Sequence, residues 1–414
     1  MTDTTMESVE SFRLRARAWL AAHMPRRDAE AEAAELPEDD IGDWLRAREL
    51  QQLLYSGGFA GICFPKEYDG LGLTPAHQLA FNEESAGYEM PLALNLPSFA
   101  ICAATILDCG TEEQKRDRIG GAIRGEEILC QFLSEPSGGS DLAGLITRAD
   151  RDGDDFVING SKTWSTSAYA ADWALCLART NWDVPKHRGL TMFLMPTKAP
   201  GITMNRVRMV NGSLEFCDEF FDNVVLPASA VVGEVDGGWA VASRQLFHER
   251  NSMGGGSPYV SGQRDKGGMS HVTPFDVAAV SGRSADPRVR EMVGRSLVME
   301  KVAEQTATRV TRGIASGALP PTAASLLRLL HAEYSQLNDD LAVRIAGSRI
   351  GFGEAGGQGP TGRASIGYLM RQGGSLGGGS TEMARNVISE RVLGMPREAA
   401  LDRDVPFNQV KRGR

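Results

Sequence analysis

The apolar periodicity of this chain changes twice along its length, and few folds accommodate two such changes. Up to about residue 125 the apolar side chains recur at helical spacing. Val9, Phe12, Ala16, Trp19 and Leu20 make one stripe, and Trp44, Ala47, Leu50 and Leu54 make another that stops at Gly57-Gly58. Thr74-Pro75 supplies an N-cap and a first helical position, and Thr111-Glu-Glu-Gln114 has the spacing of a capping box. From about Glu126 short runs take over: Phe156-Val-Ile158, Trp173 to Leu177, Thr191 to Met195 and Phe220 to Leu226, separated by turn residues at Gly153, Asn159-Gly160 and Asn211-Gly212. After Gly233 helices return. Asp236-Gly-Gly-Trp239 opens one that runs to about Asn251, and Asp286-Pro287 opens a long one ending near Gly317. Leu326, Leu330, Tyr334, Leu337, Leu341 and Ile345 form a stripe suited to a bundle, and a last helix runs from about Glu382 to Leu393. Gly254 to Ser284 has no clear period and reads as a loop; the acidic run Glu30 to Asp40 reads as a solvated loop or a fraying helix. The pattern predicts an α+β chain, mostly α, with a helical unit (1–125), a compact antiparallel sheet or barrel (126–235) and a helical bundle (236–414).

Composition narrows the function. A formal charge of −9 argues against a nucleic-acid surface, which would be basic. The six cysteines lie mostly in apolar runs without a Cys-x-x-Cys pair and read as buried thiols in a reducing cytosol, so a cytoplasmic location is expected. The six histidines are scattered, so no metal site is expected. The start, Met1-Thr-Asp-Thr-Thr, is acidic and polar, unlike a signal peptide, and no apolar run is expected to reach the ~20 residues of a bilayer span.

The stretch from Gln131 to Trp164 is where chemistry concentrates. An apolar run is broken by Glu135-Pro136 and then by Gly138-Gly139, with hydroxyls at Ser134, Ser137 and Ser140. Such a loop lets backbone N–H groups come close to a planar or anionic ligand. Trp164 and Thr166 follow, a large ring and a hydroxyl able to wall a flat heteroaromatic group. Leu133-Ser-Glu-Pro-Ser-Gly-Gly-Ser-Asp-Leu-Ala143 resembles the acyl-CoA dehydrogenase signature Thr-Glu-Pro-x-x-Gly-Ser-Asp. A second family signature is matched by Gly379-Ser-Thr-Glu-Met-Ala-Arg-Asn386 running into Glu390-Arg-Val-Leu-Gly-Met-Pro-Arg397, and further pieces by Pro65 to Gly72 and Ala171-Asp-Trp173.

The resemblance implies an all-α front domain, a middle β-barrel and a C-terminal four-helix bundle. It implies FAD as cofactor, an acyl-CoA thioester as substrate and electron-transfer flavoprotein as electron acceptor. A carboxylate would remove the Cα proton while hydride leaves Cβ for the flavin. Desolvation in a dry pocket makes such a carboxylate a stronger base. The usual family position for that glutamate is Gly378 here, which cannot take a proton. A minority of the family, isovaleryl- and long-chain-type enzymes, carries it on the first helix of the bundle before an arginine, which resembles Glu249-Arg250. Helical spacing places Glu249 at the edge of the stripe through Ala242 and Leu246; His248 falls off that face. By resemblance Gln131, Leu133, Ser134, Gly139, Ser140, Trp164 and Thr166 contact the flavin, and Ser380 and Glu382 meet the adenosine part of FAD. Gly347 lies where a neighbouring subunit closes on the cofactor, so a homotetramer or an α2β2 heterotetramer is implied. Ser140, Arg250, Gly378 and Gly379 lie beside the substrate, the backbone N–H of Gly378 serving the thioester oxygen. The usual Arg-x-x-Phe-Gly segment that reaches FAD from an adjacent subunit is absent after Gly254. That absence makes one subunit of a heteromeric pair, catalytic or non-catalytic, an alternative; a flavin oxidase or monooxygenase is another, because the fold by itself does not fix function. Gly351-Phe-Gly-Glu-Ala-Gly356 matches a dinucleotide fingerprint and Gly373 to Gly377 a nucleophile elbow, but neither follows a strand-like segment, so both are set aside.

Overall fold

Helices, then strands, then helices follow one another along the chain, as the two changes of period require. The computed structural model describes residues 6–27, 41–253, 257–262, 272–352 and 359–411. Helix α1 (Val9–His23) starts where Ser8 Oγ accepts from the Ser11 N–H, and it buries Phe12, Ala16 and Leu20. Helix α2 (Ile41–Ser56) buries Trp44, Ala47, Leu50 and Leu54. Helix α3 (Pro75–Glu84) follows a capping box between Thr74 and His77. Helix α4 (Leu92–Cys109) corrects one expectation. Its 18 residues are long and apolar enough to cross a membrane by length and composition, although Asn95, Pro97 and Ser98 hide the run in the sequence. Most of it is buried inside the protein, as a core helix would be. Helix α5 (112–123) begins at the Thr111–Gln114 capping box.

Eight strands come next: β1 (Leu129–Phe132), β2 (Arg148–Asp152), β3 (Asp155–Thr166), β4 (Trp173–Arg179), β5 (Leu190–Pro196), β6 (Ile202–Val207), β7 (Phe216–Pro227) and β8 (Val231–Val232). The path runs β6-β7-β3-β2-β4-β5-β8, with β1 also paired to β4. The pairing is not purely antiparallel as expected: β1 and β2 both lie parallel to β4. The β2–β3 hairpin separates β1 from β4 in sequence, and that excursion gives β4 the length of chain a parallel return needs.

Helix α6 (Gly238–Met253) opens the second helical region, followed by α7 (Pro274–Val280), α8 (Pro287–Ala315), α9 (Ala324–Ala346), α10 (Gly359–Met370) and α11 (Thr381–Val387). Helix α7 lies inside the stretch expected to be a loop. Seven residues are too few to show a period, yet Thr273 caps the helix reciprocally with Asp276, Pro274 takes the first position, and Val277 and Ala278 are buried. Residues 254–256 and 263–271 of that stretch and the acidic run at 30–40 lie outside the described residues.

Two separate apolar cores result among the described residues. The larger unites α1 to α5, the sheet and the start of α6, from Phe12 to Ala242. The smaller joins Val277, Ala278, Val289, Ala342, Ile345, Ala346 and Ala364. Helix α6 thus packs on α4 and β5 and belongs mechanically with the sheet. Cys102, Cys130, Cys176 and Cys217 are buried, and all six cysteines are free thiols.

One buried ion pair organises the loop after β1. Lys162, with no side-chain exposure, donates from Nζ to Glu135 Oε1 and to the Leu133 carbonyl, each at 3.0 Å. The Glu135 carboxylate also accepts the Ile146 and Thr147 N–H groups at 2.7 and 2.8 Å. Burial pushes the Glu135 carboxyl up, but Lys162 and those amides outweigh it and hold it below the ordinary carboxylate value. Replacing Lys162 by Met strands a buried carboxylate. Denaturant unfolding of Lys162→Met is expected to show a loss of about 3–5 kcal/mol, much of it recovered in the Lys162→Met/Glu135→Leu double variant.

Candidate active site

The ion pair draws the end of β1 against the middle of β3, where the Thr163 N–H donates to the Ser134 carbonyl at 2.9 Å. One residue on, a bulge between Thr163 and Ser165 turns Trp164 out of the sheet with φ +63°. Its indole is 53% exposed and rests edge-on against Phe216, ring centres 5.5 Å apart. Thr166 is half-buried beyond it. Across from this ring the loop folds back on itself, with Glu135 and Gly138 exchanging backbone hydrogen bonds. Gly139 leaves room for the Ser134 hydroxyl, which a Cβ there would approach to 3.2 Å, and Ser140 is exposed. A displayed aromatic face beside hydroxyls and bare glycine backbone fits a flat, polar heteroaromatic group.

Behind Trp164 lies a group that the sequence reading missed. Ser165 Oγ donates to Glu219 Oε2 at 2.8 Å, and Glu219 is fully buried with Oε1 unpartnered among the described residues. Burial pushes its carboxyl up to about 8, so it is a neutral acid at neutral pH. The inward alternation Cys217, Glu219, Phe221 along β7 was the available signal.

Helix α6 presents Val241, Ala242, Gln245, His248 and Glu249 to the protein interior in steps of three and four. Gln131 Nε2, on β1, donates to Glu249 Oε2 at 3.2 Å, and Gln245 Nε2 donates to Gln131 Oε1 at 2.9 Å. Burial raises the Glu249 carboxyl above its ordinary value; the Gln131 hydrogen bond and the neighbouring Arg250 charge pull it part of the way back. Arg244 pairs with Asp108 of α4 and leaves Glu249 free of that cation. His248, expected to fall off the buried face, is buried and shares the Asp108 carboxylate at 2.7 Å, because α4 covers that side of the helix. Arg250 is exposed and makes no side-chain hydrogen bond or ion pair among the described residues.

The remaining residues expected at the site belong to the C-terminal helices. Gly378 and Gly379 have φ of +69° and +92°, a conformation costly for other residues. Arg328 of α9 holds their loop by donating to the Gly374 and Gly377 carbonyls at 2.9 and 2.7 Å. Ser380 caps α11 by accepting from the Met383 N–H, and Glu382 is exposed in its first turn, 3.9 Å from Arg385. Gly347 ends α9 with φ +58°. The structure therefore gathers Gln131, Leu133, Ser134, Gly139, Ser140, Trp164, Thr166 and Glu249 around β1, β3 and α6. Gly347, Gly378, Gly379, Ser380 and Glu382 have their hydrogen bonds and turns within the C-terminal region. Ser375, in the elbow-like motif, sits in a 3-10 turn donating to the Gln372 carbonyl. Gly351 and Phe352 continue from α9 without a strand, and 353–356 of that motif lie outside the described residues.

Comparison with known proteins supports one family. The acyl-CoA dehydrogenase N-terminal domain model matches residues 6–126 and the middle domain model residues 130–224. Acyl-CoA dehydrogenase IpdE1 of Mycobacterium tuberculosis (strain ATCC 25618 / H37Rv) is 32% identical over 397 residues, covering 95% of this chain and 100% of that relative. The Tcur3481-Tcur3483 steroid ACAD superimposes with a TM-score of 0.72 at 28% identity, over 94% of this chain and 98% of that one. The ChsE4-ChsE5 complex from Mycobacterium tuberculosis shares the fold, with a TM-score of 0.68 at 24% identity over 96% and 100% of the two chains. This chain belongs to the acyl-CoA dehydrogenase family, whose members use FAD. Trp164→Ala is expected to weaken flavin retention by about ten- to hundredfold, the scale of one aromatic stacking contact, as read by flavin released on gel filtration.

Proposed function

We propose that this enzyme converts an acyl-CoA thioester to the 2-enoyl-CoA, with Glu249 taking the Cα proton. The observation that carries this reading is the Glu249 carboxyl itself, raised by burial and held by Gln131 beside the strands that display Trp164. FAD, when bound, accepts the hydride that leaves Cβ. Gln131, Leu133, Ser134, Gly139, Ser140, Trp164 and Thr166 would hold its flavin end, and Ser380 and Glu382 its adenosine end. Arg250 would meet the acyl-CoA, as would Ser140 and Gly379. The Gly378 N–H would stabilise the thioester oxygen as charge develops there. Electron-transfer flavoprotein would reoxidise the enzyme.

The substrate we infer is a bulky, steroid-derived acyl-CoA. Support comes from the likeness, at 28% identity, to the Tcur3481-Tcur3483 steroid ACAD, and from the small side chains around Gly378. The unit boundaries at 125/126 and 235/236 remain part of this reading. So does an oligomer, because Leu297, Val298, Leu376 and Leu393 leave apolar surface exposed on the C-terminal helices. A homotetramer and an α2β2 pair both bury such surface. The chain expressed alone is expected to run larger than a monomer by sedimentation, and a monomer that assembles only with a second, related chain would select the α2β2 form. Under nitrogen, wild-type enzyme is expected to bleach with a steroid acyl-CoA faster than with straight-chain acyl-CoAs. Glu249→Gln should stay yellow and bleach about 10²–10⁴-fold more slowly; unchanged bleaching would remove Glu249 from the reaction.

A further inference from the structure

Two side chains of one helix bracket a single glutamine on the neighbouring strand. Gln245 and Glu249 lie four residues apart on α6, on the same face, and Gln131 of β1 stands between them. The direction of each hydrogen bond is dictated by chemistry. An ionised carboxylate only accepts, so Gln131 must turn its NH2 toward Glu249. Its carbonyl then faces α6 one turn back and needs a donor, which Gln245 Nε2 provides at 2.9 Å. With the Gln131 amide reversed, oxygen would face oxygen at Glu249 and NH2 would face NH2 at Gln245.

Gln245 itself is fully buried, and its remaining Oε1 finds no partner among the described residues. An unpaired buried carbonyl is a cost that an apolar residue would not carry, so packing alone does not favour glutamine at this position. Its single hydrogen bond goes to the side chain that holds Glu249. We propose that Gln245 is a positioning residue for Glu249, acting through the side-chain amide of Gln131. The proposal rests on Glu249 being the proton acceptor for its catalytic meaning, but the relay itself is open to direct measurement.

Other groups face this carboxyl, and none replaces the relay. Arg250 follows it on α6 and favours the charged form. From α4 comes the Cys102 thiol, whose Sγ donates to the Cys130 carbonyl and which burial keeps protonated. Asp108, also on α4, is engaged by Arg244 and His248 on the adjoining side of the helix. Strand β5, packed on α6, carries no titratable side chain from Leu190 to Pro196. Removing the donor that Gln245 secures therefore leaves burial less opposed, and the Glu249 carboxyl should hold its proton to higher pH.

The test is an infrared pH titration of the purified FAD-bound protein, with the Glu249 carboxylic-acid band assigned by its absence in Glu249→Gln. Gln245→Leu is expected to move the midpoint of that band upward by about one pH unit. Gln131→Leu should move it equally, and the double variant should move it no further. Should Gln245→Leu fail to fold, Gln245→Met, which keeps the unbranched shape without the amide, serves for the same reading. An unshifted midpoint in a folded, yellow Gln245 variant overturns the proposal, as does a shift that adds fully to that of Gln131→Leu. Because the titration needs no substrate, a relay confirmed here alongside unimpaired turnover by Glu249→Gln would discard the base assignment and keep the relay.

Discussion

A lysine ammonium sealed inside the sheet against the Glu135 carboxylate is the contact on which the site depends. An ion pair removed from water is a poor source of net stability, since desolvation consumes most of the attraction. Its value here lies in geometry. One carboxylate gathers Lys162 of β3 and two amides at 146 and 147, while the same ammonium reaches the Leu133 carbonyl. Three chain segments, around 133–135, 146–147 and 162, are thereby fixed to one point, and the serine- and glycine-rich loop between the first two is shaped without any bulky side chain of its own. Trp164 follows Lys162 by two residues and inherits that fixed frame.

Helix α6 completes the site from the opposite direction. Although it follows the sheet in sequence and opens the C-terminal helical region, its buried face joins the core of α4 and the sheet. Asp108 anchors it twice, through Arg244 and His248, and both contacts fall on the turns that flank Gln245. The carboxyl of Glu249 is thus raised by burial but kept from a strong cation partner, which would have lowered its affinity for a proton. Arg244, on the same helix, is engaged by Asp108 instead.

What the sequence made legible follows from how local each signal is. Caps such as Thr111 and Asp286 act within four residues and were readable directly. The long stripe of α9 was readable because twenty residues of period leave little ambiguity. Helix α7 was missed because it is seven residues long and depends on its cap and on tertiary contacts. The apolar run of α4 was overlooked because polar Asn95 and Ser98 interrupt it, and their partners, the Ser261 and Leu129 carbonyls, are distant in sequence. Resemblance singled out Glu249 and Gln131, but their meeting across 118 positions is a tertiary fact that no spacing rule reaches. The same holds for Gln245 and for Glu219, whose unpaired oxygens acquire meaning only once their neighbours are in place. The C-terminal positions Gly347, Ser380 and Glu382 show local capping and turn geometry, and their proposed role calls for a ligand or a neighbouring subunit to be read from contacts.

The two apolar cores share no side chain among the described residues, and this separation divides labour within one polypeptide. Packing changes in the small cluster around Ala342 and Ile345 are kept away from the Gln131–Glu249 contact, whose strand and helix pack in the larger one.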